Sequence, residues 1–230
     1  MVKRMIFDTH AHYMDERFAE DREVLLASLR DAGVGNVVEV GASIQSTKDA
    51  VALSGKYDFV YSAVGVHPDG VPEMTDETIE WLKGLTGEPK VVAIGEIGLD
   101  YYYDEPDREL QKKWFIRQLE AAKETKMPVI IHSRDAAQDT IQIMRASRAE
   151  EIGGVIHCYS YSKESARDFL NMGFYFGIGG VVTFKNAKKL KEAVAYIPLS
   201  NIVLETDAPY LTPEPFRGKR NDSSQIRYVI

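Results

Sequence analysis

Eight short apolar runs rich in valine and isoleucine recur along the chain, and most of them end in a histidine, a carboxylate or a glycine. They are "MIFDTH" near residue 5, "VVEVGAS" near 37, "VYSAVGVHP" near 60, "VVAIGEIGLD" near 91, "PVIIHS" near 128, "GVIHCYS" near 154, "FYFGIGG" near 174 and "IVLETDAP" near 202. Continuous rather than alternating apolar runs predict strands covered on both faces. Most intervals between them carry a helical period with end signals. Asp104 and Pro106, for example, open a stretch in which Leu110, Trp114, Phe115 and Leu119 recur on one helical face. Strand alternating with helix predicts parallel βαβ units, and eight such units predict a (β/α)8 TIM-type barrel. An open doubly wound sheet is the alternative. With no linker-like stretch and no finer repeat, residues 1–230 are expected to form one domain. After the eighth run only "NDSSQIRYVI" follows, so the last helix of the barrel is expected to be truncated.

The chemically capable residues cluster at one place in this pattern. His10 and His12 close the first run, His67 follows the third, Glu96 lies in the fourth, His132 closes the fifth, His157 the sixth, and Asp207 the eighth. In a barrel, the C-terminal strand ends form the catalytic face. The chain has only 5 histidines, and all of them fall there. On a strand, residues i and i+2 point the same way, so His10 and His12 project together toward the barrel axis. Six converging nitrogen and oxygen ligands, His10, His12, Glu96, His132, His157 and Asp207, exceed one tetrahedral site and fit a pair of divalent ions bridged by a carboxylate. Glu205 competes with Asp207, since alternation puts both on one face, but only Asp207 lies past the strand end. His67 reads as a substrate-binding or supporting group, and Cys158, alternating with His157, is expected to face away from the axis as a small buried hydrophobe.

Charge and cysteine content narrow the function. A net charge of −7 argues against a broad basic surface tracking a duplex. One cysteine, no basic-then-apolar leader and no run of 18 apolar residues lead to the expectation of a soluble, cytoplasmic protein with no membrane contact; a monomer is expected, with an oligomer as the alternative.

The stretches "FDTHAHY" at 7–13, "VGVHP" at 64–68, "IGEIGLDYYYD" at 94–104, "PVIIHSRDA" at 128–136, "HCYS" at 157–160 and "ETDAPYLTPEPFRGKRN" at 205–221 together resemble the TatD-related metal-dependent hydrolases, a branch of the amidohydrolase-like barrels. The resemblance implies two divalent ions held by His10, His12, Glu96, His132, His157 and Asp207. It also implies hydrolysis of phosphodiester bonds in DNA, as a magnesium-dependent exonuclease working from 3′ ends. The chain departs from the family pattern at Tyr161, where glycine is common, and at Ser223, where proline is common; both are expected to affect the rim rather than the ligands.

On that basis Glu96 is expected to bridge the ions. His10, His12 and Asp207 would hold one, His132 and His157 the other, with Asp207 taking the proton from the attacking water. Mg²⁺ or Mn²⁺ is expected, while Zn²⁺ and Ni²⁺ also suit imidazole and carboxylate donors. Arg134 and the cluster of Arg217, Lys219 and Arg220 would supply donors for phosphate. His67 and the tyrosine run starting at Tyr101 would contact substrate, the tyrosines by stacking on unpaired bases of single-stranded DNA ends. The competing readings are hydrolysis of a cyclic amide or lactone, disfavoured by Glu96 standing where many such barrels carry a modified lysine, and of a D-aminoacyl-tRNA ester.

Overall fold

The structure is a computed structural model that describes residues 5–230. Each of the eight apolar runs forms a strand: β1 (Ile6–Ala11), β2 (Val34–Val40), β3 (Val60–Val64), β4 (Val91–Asp100), β5 (Val129–Arg134), β6 (Gly154–Ile156), β7 (Tyr175–Ile178) and β8 (Ile202–Leu204). All pair in parallel, in the order β1 to β8. A single bridge, Ala11 to Ala208, brings the end of the sheet back to β1. The result is a nearly closed (β/α)8 barrel.

Among the described residues seven α-helices cover the outside: α1 (Arg22–Leu29), α2 (Ile44–Lys56), α3 (Asp76–Leu85), α4 (Arg108–Thr125), α5 (Ala137–Ala146), α6 (Lys163–Asn171) and α7 (Lys188–Tyr196). Local chemistry starts several of them. Ser43 and Ser46 form a reciprocal capping box on α2, and Thr75 and Thr78 do the same on α3. Helix α4 begins later than Asp104 and Pro106 suggest, because Asp107 is the residue whose carboxylate accepts from the amides of Glu109 and Leu110. Its apolar face, with Trp114, Phe115 and Leu119 buried, packs on the sheet as the period predicts.

The seam between β8 and β1 is made by buried polar groups. Asp8 accepts from Thr206 Oγ1 and Ser223 Oγ, both at 2.6 Å, and from the Thr206 amide at 3.0 Å. Tyr13 donates to Ser223 Oγ at 2.7 Å. Ser223 is fully buried, so it lies beneath the rim and not on it, contrary to the expectation from its position. In place of the closing helix, residues Ser223–Tyr228 form a 3-10 turn. Among the described residues no α-helix follows β8, and Phe7 in β1 is 46% exposed. None of the described helices is long and apolar enough to cross a membrane.

Candidate functional site

The mouth of the barrel holds a cavity of about 780 Å³ lined by His12, His67, Glu96, Asp100, His132, Arg134, His157, Cys158 and Asp207, among others. Strand geometry puts them there. His10 and Glu96 lie within β1 and β4, His132 within β5, and His157 immediately after β6. Gly98 allows the closest approach of β4 to β5: its φ is +147°, and a Cβ there would sit 1.9 Å from the His132 carbonyl oxygen.

Glu96 is the centre of the cluster. Its Oε2 faces His10 Nε2 at 3.4 Å and His12 Nε2 at 3.8 Å, while Oε1 faces His132 Nδ1 at 2.7 Å and His157 Nε2 at 3.6 Å. Asp207 Oδ1 lies 3.5 Å from His12 Nε2 and 3.9 Å from His157 Nε2. The structure therefore brings together all six residues singled out in the sequence.

Hydrogen bonds orient the imidazoles. His12 Nδ1 donates to the Val40 carbonyl at 2.9 Å, which leaves its Nε2 facing inward. That atom lies only 3.1 Å from His10 Nε2, and the rings of His10 and His157 stack at 3.5 Å. Four imidazoles so close cannot all be satisfied by one another. Nδ1 of His10 and Oε2 of Glu205 are buried with no hydrogen-bond partner, and Nδ1 of His157 has only the Glu205 carboxylate, 3.1 Å away. Converging nitrogens, carboxylates set among them and unpaired buried polar atoms together fit divalent cations, and the clusters that can hold one include His10–His12–Glu96 and Glu96–His132–His157.

The electrostatics agree. Burial disfavours charge on His12, but its hydrogen bond to Asp207 and the field of Glu96 override this and lift it to about 9. His132 is lifted to about 9 against burial by Asp100 and Glu96, and His157 likewise by Glu205 and Glu96. Glu96 itself, despite burial, is held well below the usual carboxylate range by the surrounding histidines. The carboxylates thus demand positive charge at the centre, which protons supply when nothing else does.

Several participants escape a strand-period reading. Asp100 Oδ2 lies 3.0 Å from His132 Nε2, and with His67 these two make a further potential cluster. Glu39, buried in β2, accepts from the amides of Tyr13 and Met14, and burial pushes it up to about 7. Glu205 accepts from the Cys158 amide at 2.7 Å and lies 3.1 Å from His157 Nδ1. Gly177 makes room for it, since a Cβ there would fall 2.0 Å from Glu205 Oε2. Cys158 does not face away. The strand ends at Ile156 and Cys158 has φ +44°, so its thiol lines the cavity within reach of His157 and Asp207.

The residues expected to contact substrate are distributed unevenly. His67 lines the cavity; burial lowers it to about 3, so it is neutral, and its Nδ1 accepts from the Asp69 amide. Arg134 also lines the cavity. Tyr101 is not among the lining residues: its hydroxyl donates to Asp139 and Arg108 covers its ring, whereas Tyr103 lines the cavity. Arg217 lies over Phe184, Lys219 beside Phe216, and Arg220 pairs with Asp21, all outside the lining. Tyr161, half-buried, bonds through its hydroxyl to Ser133 and to the Ala136 amide, tying the loop after β6 to the loop after β5.

Known proteins share this arrangement of chain. A family model described as TatD related DNase matches residues 7–230. The uncharacterized metal-dependent hydrolase YabD of Bacillus subtilis is 45% identical over 225 residues, 98% of this chain and 88% of its own. The 3′-5′ ssDNA/RNA exonuclease TatD of Cronobacter sakazakii is 32% identical over 230 residues, again 98% and 88%. The crystal structure of the TatD homologue YjjV of Escherichia coli superposes with a TM-score of 0.92 at 33% identity, covering 100% of this chain and 88% of that one.

Proposed function

Because the chain belongs to the TatD-related DNase family of metal-dependent hydrolases, we propose that it hydrolyses phosphodiester bonds of DNA, removing nucleotides from the 3′ ends of single strands with two divalent ions. The observation that carries this reading is the division of Glu96: one carboxylate oxygen faces His10 and His12, the other His132 and His157. A carboxylate so placed would help hold two cations, one together with His10, His12 and Asp207 and the other together with His132 and His157. Mg²⁺ or Mn²⁺ is the expected ion, with Zn²⁺ and Ni²⁺ compatible with the donors. Ions held there would supply Lewis-acid polarisation of the phosphoryl group and activation of a water.

The protein's own groups do the rest. Asp207 stays ionised, because the histidines around it outweigh burial, and it borders the cavity, so it is placed to accept the proton of the attacking water. His67, neutral with Nδ1 accepting, carries its proton on Nε2 and can donate to substrate without adding charge. Arg134 offers a guanidinium at the rim for phosphate. A net charge of −7, with Arg134 the cationic side chain that lines the cavity, suits a grip on a few nucleotides at an end. The protein acts as a monomer in the cytoplasm under this reading.

The test is a time course on 5′-labelled single-stranded DNA with metal-stripped protein and Mg²⁺, Mn²⁺, Zn²⁺ or Ni²⁺ restored. A metal-dependent ladder shortening from the 3′ end is expected. Absence of cleavage with every ion, alongside turnover of a dihydropyrimidine, a lactone or a D-aminoacyl-tRNA, would overturn it.

A further inference from the structure

Two tyrosines stand on opposite sides of the cavity mouth, each with a guanidinium over its ring. The strand order β1 to β8 puts the loops after β4 and β5 across the barrel from those after β8 and β1. On the first side, Tyr102 is 56% exposed and the Arg134 guanidinium lies 3.7 Å from its ring centroid. Tyr103 meets Tyr102 edge-on at 4.8 Å. The Tyr102 amide donates to Asp100 Oδ1 at 2.9 Å, and Arg134 Nη1 is 4.0 Å from Asp100 Oδ2. On the second side, Tyr210 is 40% exposed, its hydroxyl donates to Asp15 at 2.8 Å, and the Arg17 guanidinium lies 4.2 Å from its ring centroid.

Each pair reaches the cavity through one member, Tyr102 and Arg17 standing just outside the lining. Tyr103, Arg134 and Tyr210 all line it. Tyr210 lies 6.4 Å from the His12 ring, and from His12 an unbroken run of contacts passes through Glu96, His132 and Asp100 to Arg134. The reacting centre therefore sits between the pairs. An exposed tyrosine is ordinarily free to change rotamer, but Tyr210 is held at its hydroxyl and under Arg17, and Tyr102 lies under Arg134 and against the edge of Tyr103. Little ordering entropy remains to be lost when a flat partner lies on them. Every nucleobase has a face that stacks on such a ring, and a guanidinium adds attraction for it and for the neighbouring phosphate.

We propose that these pairs are two nucleobase platforms, Tyr210 with Arg17 for one base and Tyr102, Tyr103 with Arg134 for the other, flanking the scissile phosphate. This rests on the phosphodiesterase reading above and deepens it: the recognised unit is a dinucleotide step whose two bases are unpaired. A base in a duplex would have to leave its partner to lie on either ring.

A substrate-by-residue cycle tests it, measuring kcat/KM on the thymidine dinucleotide pTpT and on the two analogues in which either thymine is replaced by an abasic residue. The parent protein should lose about five- to a hundredfold on removal of either base. In Tyr210→Ala the penalty for one particular base should shrink to less than about twofold while the penalty for the other persists. In Tyr102→Ala/Tyr103→Ala the pattern should reverse, and Tyr210→Phe, which keeps the ring, should keep both penalties. Full penalties for both bases in both alanine variants, or a parent indifferent to base removal, would overturn the platforms while leaving the phosphodiesterase intact. A parent that cleaves none of the three with any divalent ion would overturn the phosphodiesterase reading and the platforms with it.

Discussion

Replacing Glu96 by Gln keeps the volume and removes the charge at the one atom pair that all four histidines of the centre face. The carboxylate is almost fully buried, with four imidazole nitrogens between 2.7 and 3.8 Å of its oxygens. At the 3.4 Å separation seen for His10, a unit charge interacts with a carboxylate by about 5 kcal/mol in an effective dielectric of about 20. A cation bound among these ligands would lose at least that attraction, which at about 1.4 kcal/mol per decade is roughly three orders of magnitude in affinity. Titration calorimetry of the metal-stripped variant with Mn²⁺ should show this loss, and hydrolysis at sub-millimolar metal should fall below about a thousandth of the parent rate. The fold should survive, with an unchanged circular dichroism spectrum. His132, raised to about 9 partly through Glu96, should titrate lower in the metal-free variant by NMR. A variant that binds metal as the parent does, or keeps more than about a tenth of the rate, would refute the central role of Glu96.

Metal binding should also release protons. His12, His132 and His157 are each raised to about 9 in the metal-free protein, against burial, by their carboxylate neighbours, so near neutral pH a cation must displace protons. The calorimetric enthalpy at pH 7.5 should therefore differ between Tris and phosphate in proportion to buffer ionisation heat; identical enthalpies would contradict the charged histidines. The same shifts set a pH dependence of stability. Histidines raised on folding stabilise below about pH 6.5, and that contribution is lost as pH rises through about 9. The Tm of the metal-free protein should fall across that window, and saturating metal should flatten the fall. At the seam, Ser223→Ala removes the acceptor of the Tyr13 hydroxyl and a donor to Asp8, both buried. The cost should be about 3 kcal/mol, a drop in Tm of the order of 10 °C for a chain of this size; a change under about 2 °C would show that the seam does not depend on this serine.

Much of this molecule is legible in one dimension. The eight strands, their parallel sense and the position of His10, His12, Glu96, His132, His157 and Asp207 near their C-terminal ends follow from apolar runs punctuated by polar residues, because a βαβ chain has few ways to cover such strands. Period-two reasoning works for His10 and His12, whose Nε2 atoms come within 3.1 Å of one another although the register of β1 against β2 shifts between Asp8 and Ala11. It fails where the backbone leaves the strand. Cys158 at φ +44° and Asp207 at φ +56° sit in left-handed turns, which is why Cys158 faces the cavity. Glu39 looks like an ordinary strand carboxylate until Tyr13 and Met14 are brought in from 26 and 25 residues away, and Glu205 reads only as a rival of Asp207 until Cys158 is brought in from 47.

The rim shows the same division. Tyr101, Tyr102 and Tyr103 are indistinguishable in sequence, and only the turn after β4 decides that Tyr101 packs on Asp139 and Arg108, Tyr102 lies under Arg134 and Tyr103 lines the cavity. Arg217, Lys219 and Arg220 read as a phosphate-binding cluster, but in the fold they find Phe184, Phe216 and Asp21. Ser223, which reads as a rim residue, is enclosed between Asp8 and Tyr13, 210 positions from Tyr13 along the chain. The sequence by itself determined the periodic part of this protein, its strands, its covering helices and the end of the barrel that carries chemistry, because hydrophobic burial repeats with the backbone. Only the tertiary structure decided which carboxylate meets which imidazole and which aromatic ring meets which cation. Those choices depend on turns and on pairs distant in the chain, for which no local period exists.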